Sequence, residues 1–177
     1  PQCSAMVEEN LDCFQDFLAL KQFSYSCKQL YSVDGWCLTG DSGMFLDPLY
    51  SPGSDFIGMN NGFITDIISK SLAGQNISVE VKQHERTFRS IFAGFLPIYE
   101  DQYPTMANSK VMSSKFIWDI MMYWGGIGPL FFKQKLTDLK FMELVRPILS
   151  EFFILNVRLQ NLFRDWATID DAQKHAG

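Results

Sequence analysis

Histidine is scarce and positive charge is in deficit. The 177 residues hold two His, and 15 Lys and Arg stand against 20 Asp and Glu, for a net charge of -5. No Lys/Arg cluster occurs, so a nucleic-acid surface, which needs such a cluster against phosphates, is excluded. The four cysteines (Cys3, Cys13, Cys27 and Cys37) show no Cys-x-x-Cys spacing. With so few His, a zinc site is excluded as well, and the cysteines read as free thiols of a reducing compartment. The opening Pro-Gln-Cys followed by Glu8 and Glu9 has no signal-peptide pattern. The most apolar stretch, residues 116–132, carries Asp119 and is broken by Gly125, Gly126, Gly128 and Pro129, so no membrane span is expected. The expected location is the cytoplasm. Also missing is any Gly-x-Gly-x-x-Gly after a strand, the fingerprint that holds a dinucleotide pyrophosphate.

What is present is apolar and aromatic. Hydrophobic residues make up 47% of the chain and aromatics 15%, with 16 Phe and 4 Trp. That composition fits a folded domain with a large core, a flat ligand pocket or an interface. The expected class is α+β, predominantly helical. Residues 1–53 mix short strands and turns, and residues 54–177 read as successive helices.

Val7, Leu11, Phe14 and Leu18 recur at helical spacing and predict an opening helix. Residues 23–31 and 36–39 read as strands around a turn at Val33-Asp34-Gly35. Ser54 is placed to cap a helix over residues 55–72, ended by Gly74. A second helix is expected over residues 78–99, shortened by Pro97, and a third, apolar nearly all round, over 109–124. Two further helices, 137–146 and 148–166, are expected on either side of Pro147. The latter presents Ile148, Phe152, Leu155, Leu159, Leu162 and Trp166 as its apolar face.

Strand 36–39 runs straight into Gly40-Asp41. A Gly at that point lets backbone approach a ligand with no Cβ in the way, and an acidic residue after it can accept hydrogen bonds from sugar-like hydroxyls. Downstream, Gly53-Ser54-Asp55 puts open backbone N–H groups at a helix start, where negative charge is favoured. The bland reading of the same residues is a strand-ending turn and an ordinary helix cap.

The ordered series Trp36-Cys37-Leu38-Thr39-Gly40-Asp41, Asp47-Pro48-Leu49 and Ser51-Pro52-Gly53-Ser54-Asp55 resembles the second FAD-contact motif of the flavin-dependent monooxygenase and halogenase superfamily, closest to its halogenase-like members. Tyr99-Glu100-Asp101-Gln102-Tyr103 and the segment from Lys115 to Trp124 resemble that group's C-terminal region. The resemblance implies the C-terminal half of a two-domain FAD-binding fold of the glutathione-reductase-like kind. It implies FAD as cofactor, a small organic substrate, and an upstream FAD-binding half in the same or another chain, without which FAD is not held tightly. Asp41 would contact the ribityl chain, with Gly40 opening the approach. Pro48, Gly53 and Ser54 would shape the loop at the flavin edge, and Asp47 would fix that loop. The pattern departs from halogenases at Pro52, which has no N–H to offer a halide. The lysine and the Trp-x-Trp-x-x-Pro motif of those enzymes are not in this sequence. Hydroxylases often carry a His soon after Gly-Asp, where Gly43-Met44 stands here. No general acid or base can be named.

The remaining constellations are weaker. His84, between Val81 and Phe88, reads as a partly buried, hydrogen-bonded histidine. Gly40-Asp41-Ser42-Gly43 resembles a serine-hydrolase string but lacks a suited His. Gly125-Gly126-Ile127-Gly128-Pro129 reads as a helix break. Phe116, Trp118, Tyr123, Trp124, Phe131 and Phe132 read as core or as a cavity lining for a flat ligand. Lys115 and Asp119 form an i, i+4 pair of the exposed kind, worth a few tenths of a kcal/mol, roughly. The competing function is a non-catalytic helical binding or scaffold module.

Overall fold

The computed structural model describes residues 2–16, 18 and 24–175, the side chains of residues 171–175 excepted. It is predominantly helical. The first helix, α1 (Gln2–Glu9), ends well before the expected position 18, and a short 3-10 turn, Leu11–Cys13, follows. Val7, Leu11, Phe14 and Leu18 are all exposed, so their helical spacing marks no core face.

The expected strands shrink to two isolated antiparallel bridges among the described residues, Tyr25 with Phe45 and Tyr31 with Cys37. Phe23 lies outside the described residues. The tight turn over residues 32–35 closes the second bridge, with Gly35 at φ 87°. Leu30 and Tyr31 are completely buried, so this segment is held by its side chains rather than by a ladder.

Helix α2 (Gly53–Leu72) buries Phe56, Met59, Phe63 and Ile67, the predicted stripe. It begins one residue before Ser54, with Pro52 at the N-cap position and no side-chain cap. The expected Ser54 cap is therefore corrected: Pro52, with its fixed φ, starts the helix in place of a side-chain acceptor. Helix α3 (Ser78–Phe95) buries Val81, Phe88, Ile91, Phe92 and Phe95 against α2 and passes at Pro97 into a 3-10 turn, Leu96–Ile98. Three Phe rings of α3 (Phe88, Phe92 and Phe95) meet Phe56 edge-on at 5.8 to 6.1 Å between centroids. His84 is completely buried; its Nε2 lies 2.7 Å from Asp66 of α2.

Helix α4 (Ser109–Met122) is capped by Asn108, whose side chain accepts from the N–H groups of Lys110 and Val111. The expected glycine break does not occur. The chain continues through a widened π turn, Tyr123–Ile127, into α5 (Gly128–Phe132). Gly126 sits where a Cβ would come within 2.8 Å of the Phe152 ring, so this glycine serves close approach rather than termination.

Helix α6 (Leu139–His175) runs straight through Pro147. An interior Pro costs a helix about 3 kcal/mol. Here Asp138 caps the start through the Phe141 N–H at 3.1 Å, and Leu149, Phe152 and Phe153 pack into the core on the far side of the proline. That packing overrides the local break. The buried face of α6 is also rotated from the predicted one. Asn156, Gln160, Phe163 and Ala167 are buried, whereas Ile148, Leu155, Leu162 and Trp166 are exposed. Among the described residues no helix is long and apolar enough to cross a membrane. The four cysteines are free.

Candidate functional site

Asn60 of α2, which sequence reading passed over, places the Gly-Asp segment. Its Nδ2 donates to the Leu38 carbonyl at 3.0 Å, and its Oδ1 accepts from the buried Tyr31 hydroxyl at 2.5 Å. Next along the chain, the Thr39 hydroxyl donates to Asn61 Oδ1 at 2.6 Å. Two consecutive asparagines on α2 thus hold the residues that lead into Gly40. The backbone then reverses in a 3-10 turn, Gly40–Ser42, with Gly40 at φ 61°, a conformation in which any Cβ is strained. The Tyr25 hydroxyl donates to the Asp41 carbonyl, leaving the Asp41 side chain exposed with no partner among the described residues.

The loop from Met44 returns toward α2. Asp47 accepts the Leu49 N–H at 2.8 Å and the Tyr103 hydroxyl at 2.8 and 3.0 Å. Gly40, Asp41, Asp47 and Gly53 meet around one narrow cavity of about 20 Å³, floored by Phe56, Phe88 and Phe92. That is room for about one water molecule. Pro48 and Ser54 are exposed and stand outside its lining. The N–H groups of Gly53, Ser54 and Asp55 have no acceptor among the described residues, so the positive end of the α2 dipole is open beside this cleft.

Tyr50 and Ser51, just before α2, both take left-handed backbone angles, φ 63° and 53°. Two successive non-glycine residues in that region cost about 1–2 kcal/mol each and mark a place where the surroundings dictate the chain path. The strain turns Tyr50 inward, across a second cavity of about 230 Å³ between α2 and α4. Its lining includes Tyr50, Tyr99, Tyr123, Asp55, Asp119 and Trp124. Phe56 separates the two cavities and lines both. Of the six aromatics singled out in the sequence, Tyr123 and Trp124 line this cavity. Trp118 packs on Phe152 and donates to Asn156, and Phe116 and Phe132 are exposed.

Behind the second cavity lies a buried polar network. Lys115 and Asp119 have fully buried side chains, in contrast to the exposed pair expected from their spacing. Lys115 Nζ donates to Asp119 Oδ2 (2.7 Å), the Ile98 carbonyl (2.9 Å) and Gln160 Oε1 (2.9 Å). Asp119 also accepts from Gln160 Nε2 at 2.7 Å and from the Tyr50 hydroxyl at 3.1 Å. Burial drives the Lys115 pKa down and the Asp119 pKa up, and their contact opposes both shifts. Three acceptors around the amine and only donors around the carboxylate match an ionised pair. With every donor engaged, Lys115 is a positioning group with no proton to spare. Burial and Asp119 push Tyr50 well above the ordinary phenol range; burial and Asp55 push Tyr123 up to about 12. The cavity phenols are therefore neutral donors at neutral pH.

Helix α4 therefore turns a mixed face inward, Val111, Lys115, Asp119 and Met122. Phe116, Ile117, Ile120 and Met121 of α4, and Trp124 just beyond it, are exposed. The sequence signal was the apolar character all round; which face was buried could not be read from it.

The chain is 22% identical over 118 residues to the flavin-dependent halogenase chlA of Dictyostelium discoideum, a match covering 66% of this chain. The matched region spans about a fifth of the relative's length, 20%. No family model matches the chain, and no solved structure matches it significantly.

Proposed function

We propose that this chain is the C-terminal portion of an FAD-dependent oxidoreductase, halogenase-like or monooxygenase-like, that acts on a small organic substrate. In this reading residues 1–53 end the FAD-binding domain and residues 54–177 form its helical C-terminal region. The carrying observation is that Gly40, Asp41, Asp47 and Gly53 converge on one cleft at the open end of α2, in a chain similar to a flavin-dependent halogenase.

The residues fit FAD as one wall of a site. A cavity of about 20 Å³ cannot enclose a flavin ring, but no atom lies within 4 Å of where a Cβ would stand at Gly40 or Gly53, so both backbones are open to close approach. The unpartnered Asp41 carboxylate suits the hydroxyls of a ribityl chain. The free N–H groups at Gly53 and Ser54 suit negative charge at the flavin edge. Asp47 and Pro48 keep the loop at the flavin edge in shape. FAD supplies the redox chemistry when bound. The protein's role is to orient it, and the pyrophosphate contacts come from an upstream half in the same or another chain.

A non-catalytic binding or scaffold module is the second reading, favoured by the exposed apolar faces of α4 and α6. One experiment separates the two. The full-length polypeptide, or the complex that contains this chain, is purified and its flavin measured by visible absorption and by release of FAD on denaturation. Bound FAD is expected, and Asp41→Ala is expected to weaken its retention by about tenfold, the scale of a lost charge-assisted hydrogen bond. Protein that neither carries nor takes up flavin sinks the oxidoreductase reading and leaves the binding module.

A further inference from the structure

Helices α3 and α6 run side by side in the same direction. At one end the Arg146 guanidinium donates to Gln83 Oε1 at 3.1 Å, and at the other the Asn156 side-chain amide donates to the Gly94 carbonyl at 2.9 Å. Between these contacts the pair leaves a groove open to solvent, with a volume of about 380 Å³. It shares no lining residue with the two cavities described above.

The two ends of this groove differ in chemistry. Arg86 and Ser90, one turn apart on α3, lie at the same end as Arg146 and Ser150, one turn apart on α6. Toward the other end the lining is apolar, with Phe153, Ile154 and Val157 on α6 beside Ala93 and Gly94 on α3. Ile154 and Val157 are 49% and 43% exposed, an unusual cost for aliphatic side chains that lie next to each other on one face.

The charge at the polar end is uncompensated. The lining holds no carboxylate, although the chain as a whole carries a net charge of -5. Arg86 has no hydrogen bond or ion pair among the described residues, and the partner of Arg146 there is the neutral Gln83. Glu85, next to Arg86 in the chain, is taken up by Arg89 at 2.8 Å. Guanidinium groups held in this way suit a carboxylate or phosphate oxygen pair.

Size and charge together choose among occupants. At about 1.5 Å per residue, α6 runs about 16 Å from Arg146 to Val157, the reach of a medium-length alkyl chain. The groove is within the range of small-molecule sites, about 300–1,000 Å³, but is too narrow to seat a helix about 10–12 Å across. Docking on an anionic membrane takes a cluster of about four to eight Lys and Arg, more than this face offers.

We propose that the α3–α6 groove binds a free amphiphilic anion of medium chain length, its acidic head on Arg86 and Arg146 and its alkyl chain along Phe153, Ile154 and Val157. This site does not rest on the flavin reading.

The test is calorimetric titration of the full-length polypeptide, or of the complex that contains this chain, with two probes of one chain length, decanoate and decyltrimethylammonium. Decanoate should bind at least about tenfold tighter, against the preference that the net negative charge alone would impose. Arg86→Gln should weaken decanoate about five- to tenfold, the scale of a lost charge-assisted contact at a solvent-exposed site. Ile154→Ser should weaken it about three- to tenfold through lost apolar contact. Both side chains are exposed, so the melting temperature of the two variants should stay that of the native protein. Vesicles of phosphatidylcholine with phosphatidylserine should not bind. No binding of decanoate, equal affinity for the two probes, or an affinity unchanged in either variant overturns the proposal. Vesicle binding that is lost in Arg86→Gln also overturns it, by making the groove a membrane surface. None of these readouts involves flavin, so such a failure leaves the oxidoreductase reading untouched, and protein that takes up no flavin leaves this groove standing.

Discussion

Lys115 Nζ lies 2.7 Å from Asp119 Oδ2, one turn apart on α4, with both side chains excluded from water. Each ion carries two further hydrogen bonds, so the pair is fully satisfied and its removal in halves is the costly operation. Lys115→Met should destabilise the chain by about 3–5 kcal/mol, since it strands a buried carboxylate, and Asp119→Leu should do the same to the amine. The double variant should lose much less than the sum. Urea unfolding of all four proteins gives the coupling directly; additive losses, within about 0.5 kcal/mol, would mean that the two residues do not act as a pair.

Asn60 joins α2 to the segment that ends in Gly40-Asp41. Asn60→Ala deprives the buried Tyr31 hydroxyl of its acceptor and the Leu38 carbonyl of its donor. A loss of about 2–3 kcal/mol is expected, along with faster amide exchange at residues 38–42 than in α3. Uniform exchange across the chain would show that the Gly-Asp turn is held by something other than Asn60.

Much of the helical region was legible in the sequence because its faces are conventional. Phe56, Met59, Phe63 and Ile67, and Val81, Phe88, Ile91 and Phe92, are buried where a 3.6-residue period puts them. The errors arose where burial is not apolar or where packing overrides local propensity. On α6 the inward residues include Asn156 and Gln160, so a rule that sends apolar residues inward chose the wrong face, and on α4, apolar nearly all round, the same rule chose no face and missed the buried Lys115 and Asp119. At Pro147 and at Gly125-Gly126 the sequence carries break signals, but α6 continues through the first and packs Phe152 of its own length against the second at Gly126. Of the candidate site, Gly40, Asp41, Asp47 and Gly53, which line one cavity, were grouped in the sequence as a motif. Tyr99, Tyr50 and Asn60 were not, because three separate elements bring them there and no spacing links them.

Gly94 and Gly62 stand on adjacent helices in opposite surroundings. A Cβ at Gly94 would fall 2.4 Å from the Phe153 ring of α6, whereas at Gly62 nothing lies within 4 Å. Gly94→Ala must push α3 and α6 apart or force Phe153 off its rotamer, a loss of about 1–3 kcal/mol. Gly62→Ala should stabilise by about 0.5–1 kcal/mol, since it removes only unfolded-state freedom from a helix interior. Thermal or urea unfolding of the two variants should shift in opposite directions. A shared direction would contradict the close α3–α6 contact.

His84 gives the fold a defined acid sensitivity. Its ring is fully buried, tilted against Phe63 at 5.0 Å between centroids, with Nε2 on Asp66 and no partner for Nδ1. The neutral tautomer with a proton on Nε2 satisfies Asp66 and leaves Nδ1 a bare acceptor; protonation would bury an N–H with nowhere to donate. Burial accordingly holds the His84 pKa below its ordinary 6.5, against the opposing pull of Asp66 and Glu80, with Lys70 adding to the lowering. A depressed folded-state pKa contributes stability that is complete above about pH 6.5 and is lost as pH falls through the folded value, by at most about 1.4 kcal/mol per pH unit. Asp66 does not confuse the window. Burial alone would raise it, but hydrogen bonds from His84 and Lys70 outweigh burial and hold the carboxyl below 3.8, so its own contribution disappears only at more acid pH. Unfolding free energies measured between pH 7.5 and 5 should therefore fall with acid in the native chain. His84→Gln keeps a donor for Asp66 but cannot gain a proton, and should show a flatter profile over the same interval. Parallel profiles would assign the acid loss to other groups and remove His84 from the account.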